Sequence, residues 1–156
     1  MKKIFYIPLL LFMFPVFNIY AEQIKIEGAF GLKFGEKYNS ETMYKDKTFM
    51  PTEIGVLIPV NPPIPMPEFF NDYKIIVTSK TLKIFGITAS KKYYNQEICK
   101  EKLKKIEAMF AKAYGQYSIL DNNHSKELTL NDVEIKFNCL KERLRITYVN
   151  ESMSKL

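Results

Sequence analysis

The sequence predicts an α+β fold, an antiparallel sheet of short strands with one main amphipathic helix packed on one face. Runs of strand length, in which apolar residues alternate with other residues, lie on both sides of one segment with helical apolar spacing. A helix with a single apolar stripe must bury that stripe against another element, and the sheet is the apolar surface at hand.

The first alternating runs predict an antiparallel hairpin in the middle of the chain. Tyr73, Ile75 and Val77 occupy every second position, and a second β-rich run covers residues 82–89 after the short polar segment 79–81. β-Branched and aromatic residues suit a pleated, half-buried strand, and two such runs with a short connection are typical of a hairpin.

The helix is predicted over residues 97–115. Asn95 is placed to accept a hydrogen bond from a free N–H of the first turn, Glu97 suits the positive helix start, and Gly115 can end the helix in the left-handed conformation. We expect the helix to pack on the hairpin that precedes it. Its apolar stripe consists of Cys99, Leu103, Ile106, Phe110 and Ala113. Its polar face carries Lys100, Lys104, Lys105 and Lys112.

A second hairpin is predicted near the end of the chain, with its turn at residues 140–142. The inward positions of its two strands are Val133, Ile135, Phe137 and Cys139, followed by Leu144, Ile146 and Tyr148. These positions face the same core as the helix stripe, so Cys139 should lie beneath Cys99. The chain has two cysteines, both outside residues 1–21, and an even number leaves neither without a partner. We predict a structural disulfide between them.

The N-terminal segment Met1–Ala21 has the features of a secretory signal peptide. Lys2 and Lys3 give it a basic start, an apolar run too short to span a bilayer comfortably follows, and the small Ala21 precedes Glu22. An uncleaved membrane anchor is the alternative. The expected organisation is a signal peptide at 1–21 and a single α+β domain at 22–156, with no stable membrane span after cleavage.

The first part of the mature chain predicts short strands and a stiff connector. Residues 23–27 suit a strand, and 28–35 suit a second strand whose glycines permit a bulge while Phe30, Leu32 and Phe34 pack inward. Residues 37–47 are polar and predict a loop or one helical turn beginning near Ser40.

Residues 54–60 are apolar and predict a further strand. The proline-rich segment 61–67 then predicts an extended connector that closes a sheet edge, and the alternative is a ligand for a proline-recognising groove. Beyond the helix, residues 117–120 predict a strand, 121–126 a polar loop, and 151–156 a frayed end.

No catalytic, cofactor or metal site is predicted. The single histidine, His124, lies in the polar loop without a nucleophile elbow, and neither a calcium loop nor a zinc motif is present in the sequence. Glu97 and Glu101 stand beside lysines on the outer face of the helix, which indicates surface ion pairs and not an acid–base pair.

The charge of the chain limits its partners. The formal net charge of +6 falls to about +4 when Lys2 and Lys3 leave with the signal peptide. Export argues against a nucleic-acid partner, while an anionic envelope surface or an acidic protein fits the charge. The lysines of the helix are interpreted as its solvated face.

The glycine-punctuated pattern of residues 28–35, the prolines before Phe69 and Tyr73, and the helix end Ala113-Tyr114-Gly115 resemble small exported bacterial proteins of unknown function. The resemblance implies a periplasmic or secreted location and gives no residue a role. The architecture is also similar to sheet-plus-helix modules used in outer-membrane assembly and enzyme inhibition. We therefore expect an exported, non-enzymatic binding or envelope-associated module whose partner is an unknown protein or envelope component. The alternative is a small cell-envelope enzyme.

Overall fold

The structure, a computed structural model, describes residues 25–39, 50–51, 55–115, 120–122 and 125–155. The strands are β1 (Gly28–Ala29), β2 (Leu32–Lys33), β3 (Met50–Pro51), β4 (Val56–Pro59), β5 (Asp72–Val77), β6 (Ile84–Lys92), β7 (Leu120–Asn122), β8 (Ser125–Leu130), β9 (Val133–Leu140) and β10 (Arg143–Asn150). The helices are α1 (Gln96–Tyr114) and α2 (Glu151–Ser154). The predicted α+β fold is confirmed.

Two four-stranded meanders meet side by side to form the main sheet. Its strand order is β3-β4-β5-β6-β10-β9-β8-β7, and β1 pairs only with β2 in a separate hairpin. All of the strand pairs among the described residues are antiparallel. Helix α1 connects the meanders, so β6 and β10, the last strand of each, lie together at the centre of the sheet.

One face of this sheet forms the hydrophobic core. Strand register aligns apolar side chains in rows that cross the sheet, and these rows are buried beneath α1 and the β1–β2 hairpin. One such row, from β5 to β8, consists of Ile75, Ile87, Tyr148, Ile135 and Leu128. Because successive side chains of a strand point to opposite faces, the same register leaves a row of polar residues on the other side.

Helix α1 begins as predicted and ends differently. The Asn95 side chain accepts a hydrogen bond from the backbone N–H of Ile98 at 2.8 Å, which confirms the cap. Gly115 does not adopt the predicted left-handed conformation, because its φ is −58°. A Cβ at Gly115 would lie 2.7 Å from the carbonyl oxygen of Ala111, so the glycine is needed here for a close backbone approach.

The expected packing of α1 on the preceding hairpin is wrong, since α1 packs on β9 and β10. The β5 surface is covered instead by Phe30, whose ring lies 5.3 Å from that of Tyr73 and 5.8 Å from that of Phe70. Within the stripe, Cys99 and Ile106 are buried, while Ala113 is exposed. Leu103 and Phe110 are partly buried against the core.

The predicted strand at 28–35 is instead the tight hairpin β1–β2. Phe30 and Gly31 both have positive φ values, 55° and 79°, and form its turn. A Cβ at Gly31 would lie 3.0 Å from Pro63, so the glycine also makes room for the proline-rich segment. Residues 25–27 of the strand predicted at 23–27 are not in strand conformation.

The strand predicted at 54–60 is confirmed as β4, and the proline-rich connector that follows lies over the β1–β2 hairpin. The Ile64 N–H donates to the carbonyl oxygen of Phe30 at 3.0 Å, and the Met66 N–H donates to the Tyr73 hydroxyl at 2.8 Å. The segment therefore packs on the apolar side and does not close a sheet edge. In the region predicted as a loop or helical turn, Lys37 bridges Lys83, and residues 40–49 lie outside the described part.

The loop predicted at 121–126 is wrong at its described positions, because residues 121–122 belong to β7 and residues 125–126 to β8, and the two strands pair. Strand β7 overlaps the predicted strand at 117–120 only at Leu120, and β8 was not predicted. Leu128 and Leu130 are buried in β8. Two alternating apolar residues among polar neighbours are too short a pattern to predict a strand. His124 lies outside the described residues.

The predicted terminal hairpin is confirmed, and its two-residue turn is tied to the start of α1. Lys141 and Glu142 both have positive φ, 48° and 64°, as a type I′ turn requires. The side chain of Gln96 accepts from the Glu142 N–H at 2.8 Å and donates to the Cys139 carbonyl at 3.0 Å. The start of α1 thus stabilises a type I′ turn that lacks the asparagine and glycine usually found in such turns.

The end of the chain is helical and not frayed as predicted. Asn150 caps α2 by accepting from the Met153 N–H at 3.1 Å, and the Glu151 N–H donates to the Asp132 carbonyl at 2.8 Å. The sequence around Asn150 contains this cap, but the segment is too short for a periodic pattern.

Candidate functional site

The structure brings together the two cysteines predicted to pair. Their sulfurs are 2.01 Å apart and their Cα atoms 6.0 Å apart, with Cys99 in the first turn of α1 and Cys139 on β9. Both residues are buried in the core. A buried disulfide at this position connects the helix to the sheet and offers no accessible thiolate.

A polar groove lies on the opposite face of the sheet, across β4, β5, β6 and β10. Its volume is about 460 Å³. No described element packs over it. Its lining residues are Leu57, Asp72, Lys74, Ile76, Thr88, Ser90, Arg143, Arg145 and Thr147.

Strand periodicity explains why these side chains share one face. On β10, Leu144 and Ile146 are buried on the core side, so Arg143 and Arg145 point to the groove. The register then places Asp72 of β5 opposite Ser90 of β6, and Ser90 opposite Arg145 of β10.

A chain of polar contacts organises the floor of the groove. The Arg143 guanidinium donates to the Ser90 hydroxyl at 3.3 Å, and that hydroxyl donates to an Asp72 carboxylate oxygen at 3.2 Å. The Lys74 ammonium lies 3.3 Å from the same oxygen. Ser90 is 6% exposed, so its hydroxyl is fixed between the two charged groups.

Positive charge exceeds negative charge in the groove. Lys74, Arg143 and Arg145 line it together with one carboxylate, Asp72. Arg145 is exposed and forms no ion pair with any described residue. The groove therefore has hydrogen-bond donors and positive charge available for an anion.

The basic surface continues past the groove onto β9. A second hollow of about 380 Å³ is lined by Asn138, Leu140 and Lys141 and shares Arg143 and Arg145 with the first. The two arginines thus stand at the centre of one continuous surface, accessible from both sides.

A smaller cavity of about 200 Å³ lies on the apolar side, between the C-terminal half of α1 and the β1–β2 hairpin. Burial raises the pKa of Tyr148, one of its lining residues, well above its usual range.

An ion pair joins α1 to the segment that follows the prolines. The Lys102 ammonium lies 3.0 Å from a Glu68 carboxylate oxygen and lowers the pKa of Glu68. This ion pair holds the segment against the helix.

The remaining predicted surface groups form no site in the described ranges. Glu101 pairs with Lys105 at 3.1 Å on the outside of α1, as expected of a helix-surface ion pair. Among the residues that the structure places, no cluster of His, Cys, Asp and Glu could hold a metal ion. A search of the same residues finds no helix with the length and apolar character of a membrane span.

The groove residues were not predicted from the sequence. The alternation of β10 was identified, but the residues that alternate with its inward positions, Arg143 and Arg145 among them, were given no role. A signal was present, because these are the only two arginines of a lysine-rich chain and they stand two positions apart on one strand. Their neighbours across the sheet, Asp72 and Ser90, are far away in sequence.

Comparisons of the chain with protein-family models, with curated proteins and with solved structures find no match. The chemistry of the groove is therefore what bears on function.

Proposed function

We propose that the protein is an exported, non-enzymatic binding module that holds an anionic ligand on the face of its sheet opposite α1. The observation that carries this proposal is the placement of Arg143, Arg145 and Lys74 around one groove with a single carboxylate. Arginine forks bind planar or tetrahedral oxyanions with two hydrogen bonds, and such charge-assisted bonds are among the strongest in proteins.

Export is supported by two independent features. The segment 1–21 has the composition of a signal peptide, and the two cysteines are disulfide-bonded. Disulfides persist in oxidising compartments and are rare in the cytosol. Both features support a periplasmic or secreted location, in which the partner would belong to the envelope or the extracellular medium.

A binder is favoured over the alternative, a small cell-envelope enzyme. General acid–base catalysis needs a titratable group positioned to exchange a proton with the substrate. Among the described residues of the groove lining, Asp72 is the only carboxylate, and it already accepts from Ser90 and contacts Lys74. Neither a histidine nor a cysteine is among those described residues. The described residues of the groove can bind a charged group, but they include no pair of side chains that could act as general acid and general base.

Replacing the arginines should weaken anion binding. A hydrogen bond to a charged group contributes about 1.5–3 kcal/mol, so Arg145→Gln should lower the affinity for anions roughly 10- to 100-fold. Arg143→Gln should do the same and also release Ser90. Isothermal titration calorimetry with inorganic phosphate and citrate, at constant ionic strength, measures the effect.

Lys104→Gln is the matched control, since it removes the same charge from the exposed face of α1. It should leave both affinities within about twofold of the wild type, because an exposed charge more than a Debye length away is screened. Equal losses in Arg145→Gln and Lys104→Gln would mean nonspecific attraction and contradict the proposal. Reproducible turnover of a cell-wall substrate would favour the enzyme.

A further inference from the structure

We infer that the ligand of the groove is a small phosphomonoester that also carries hydroxyl groups, such as a sugar phosphate. This inference rests on the proposed anion-binding function and specifies the ligand class. Three features of the groove carry it, namely its net charge, its two arginines and the acceptor at its far end.

The net charge of the groove matches a phosphate better than a carboxylate. Its described lining residues include three cationic side chains and one carboxylate, which together carry a charge of +2. A phosphomonoester carries about −1.5 to −2 at pH 7 and three acceptor oxygens, whereas a carboxylate carries a single negative charge and two oxygens. A phosphate therefore neutralises the groove, and a carboxylate leaves part of its charge uncompensated.

The two arginines suit a tetrahedral anion. Arg143 and Arg145 project from the same side of β10, about 7 Å apart along the strand, so their long side chains can converge on one group. The chain uses lysine elsewhere and has arginine only at these two positions. An arginine fork bonds two phosphate oxygens at once, which a lysine ammonium cannot do.

The far side of the groove is built to accept hydrogen bonds. Asp72 lies two strands from Arg145, about 10 Å across the sheet, and its carboxylate contacts the Lys74 ammonium, so this end of the groove attracts an anion less than the arginine end does. Its carboxylate has acceptor capacity beyond the bond from Ser90 and is about one-third exposed. Between the two ends, the hydroxyls of Thr88 and Thr147 lie 3.1 Å apart. This polarity suits a ligand with an anionic end and a hydroxylated end.

The dimensions of the groove favour a small molecule over a polymer or a protein. Its volume of about 460 Å³ falls in the range typical of small-ligand sites. None of its described lining residues is aromatic, while aromatic anchors are enriched in protein–protein interfaces. Its two apolar residues, Leu57 and Ile76, lie on the β4–β5 side, away from the arginines.

Calorimetry with five probes tests the inference: glucose 6-phosphate, inorganic phosphate, glucuronate, glucose and an acidic peptide. We expect glucose 6-phosphate to bind at least about 10-fold more tightly than glucuronate, because of the additional charge-assisted hydrogen bonds. Arg145→Gln should weaken glucose 6-phosphate and inorganic phosphate together. Asp72→Ala should weaken glucose 6-phosphate by about 5-fold or more and leave inorganic phosphate equal or tighter, because it removes an acceptor and a repelling charge. Thermal melting of each variant confirms that it is folded.

The outcomes separate the two proposals. If glucuronate binds as tightly as glucose 6-phosphate and Arg145→Gln weakens it, the groove binds anions generally and the phosphomonoester inference is wrong. If an acidic peptide binds at the arginines and the sugar phosphate does not, the ligand class is also wrong. If none of the anionic probes binds, the inference and the proposed function both fail.

Discussion

Removing the disulfide should lower the free energy of unfolding by about 4 kcal/mol, the value of the chain-entropy model for a loop of this length. Cys99 and Cys139 are 40 residues apart, and their bond closes a loop that runs from α1 through β7 and β8 to β9. The double variant Cys99→Ala/Cys139→Ala releases this loop in the unfolded chain. It also leaves two small gaps between helix and sheet, which adds to the loss.

For a domain of this size, such a loss lowers the melting temperature by roughly 10–20 °C. Calorimetric melting of the oxidised wild type and the double variant measures it. Reductant should destabilise the wild type and leave the variant unchanged, which isolates the bond from other effects of the reagent. Equal melting temperatures for wild type and variant, or two free thiols in the native protein, would contradict a structural role.

Phe137→Ala should destabilise the protein by about 3–5 kcal/mol. Phe137 is fully buried on β9, and its ring stacks on that of Phe110 with centroids 5.4 Å apart. Truncation removes the contact that joins the middle of the sheet to the C-terminal half of α1 and leaves a cavity. Phe137→Leu fills most of that space and should cost less than half as much.

Urea unfolding followed by circular dichroism measures these differences. Tyr94→Ala is the matched control, because it truncates an aromatic side chain that is 91% exposed. It should change the free energy of unfolding by no more than about 0.5 kcal/mol. A Phe137→Ala loss no larger than that of Tyr94→Ala, the range expected of a surface change, would mean that α1 does not pack on β9.

The elements encoded by local periodicity were predictable from the sequence. The cap at Asn95, the helix stripe and the alternation in β5, β9 and β10 each lie within about fifteen residues of sequence. The positions of Cys99 and Cys139 followed from two such patterns that shared a core. These features depend on neighbours in sequence, so no knowledge of the tertiary fold was needed.

The features missed by the sequence analysis depend on distant contacts. Phe30 covers β5 because the turn at Gly31 and the proline-rich segment direct it there, and no local pattern distinguishes this from a continuous strand. α1 consequently packs on the terminal hairpin. Strand β8 is polar outside Leu128 and Leu130, and it depends on β9 for pairing.

The groove was not predictable for a similar reason. Asp72, Ser90 and Arg145 form one row only when β5, β6 and β10 have their observed order and register. In the sequence, each of these residues is simply a polar residue at an outward-facing position of a strand. The presence of arginine at only two positions was the one local indication.

The most direct test of the anion-binding groove uses the side chains of those two arginines. Because the chain contains only Arg143 and Arg145, its ¹H–¹⁵N spectrum should show two arginine Nε–H signals, and both report on the groove. Titration with inorganic phosphate at constant ionic strength should shift both signals with one saturable curve, and titration with glucose should shift neither. Arginine signals that stay in place while the amides of the lysine face of α1 shift would contradict the account.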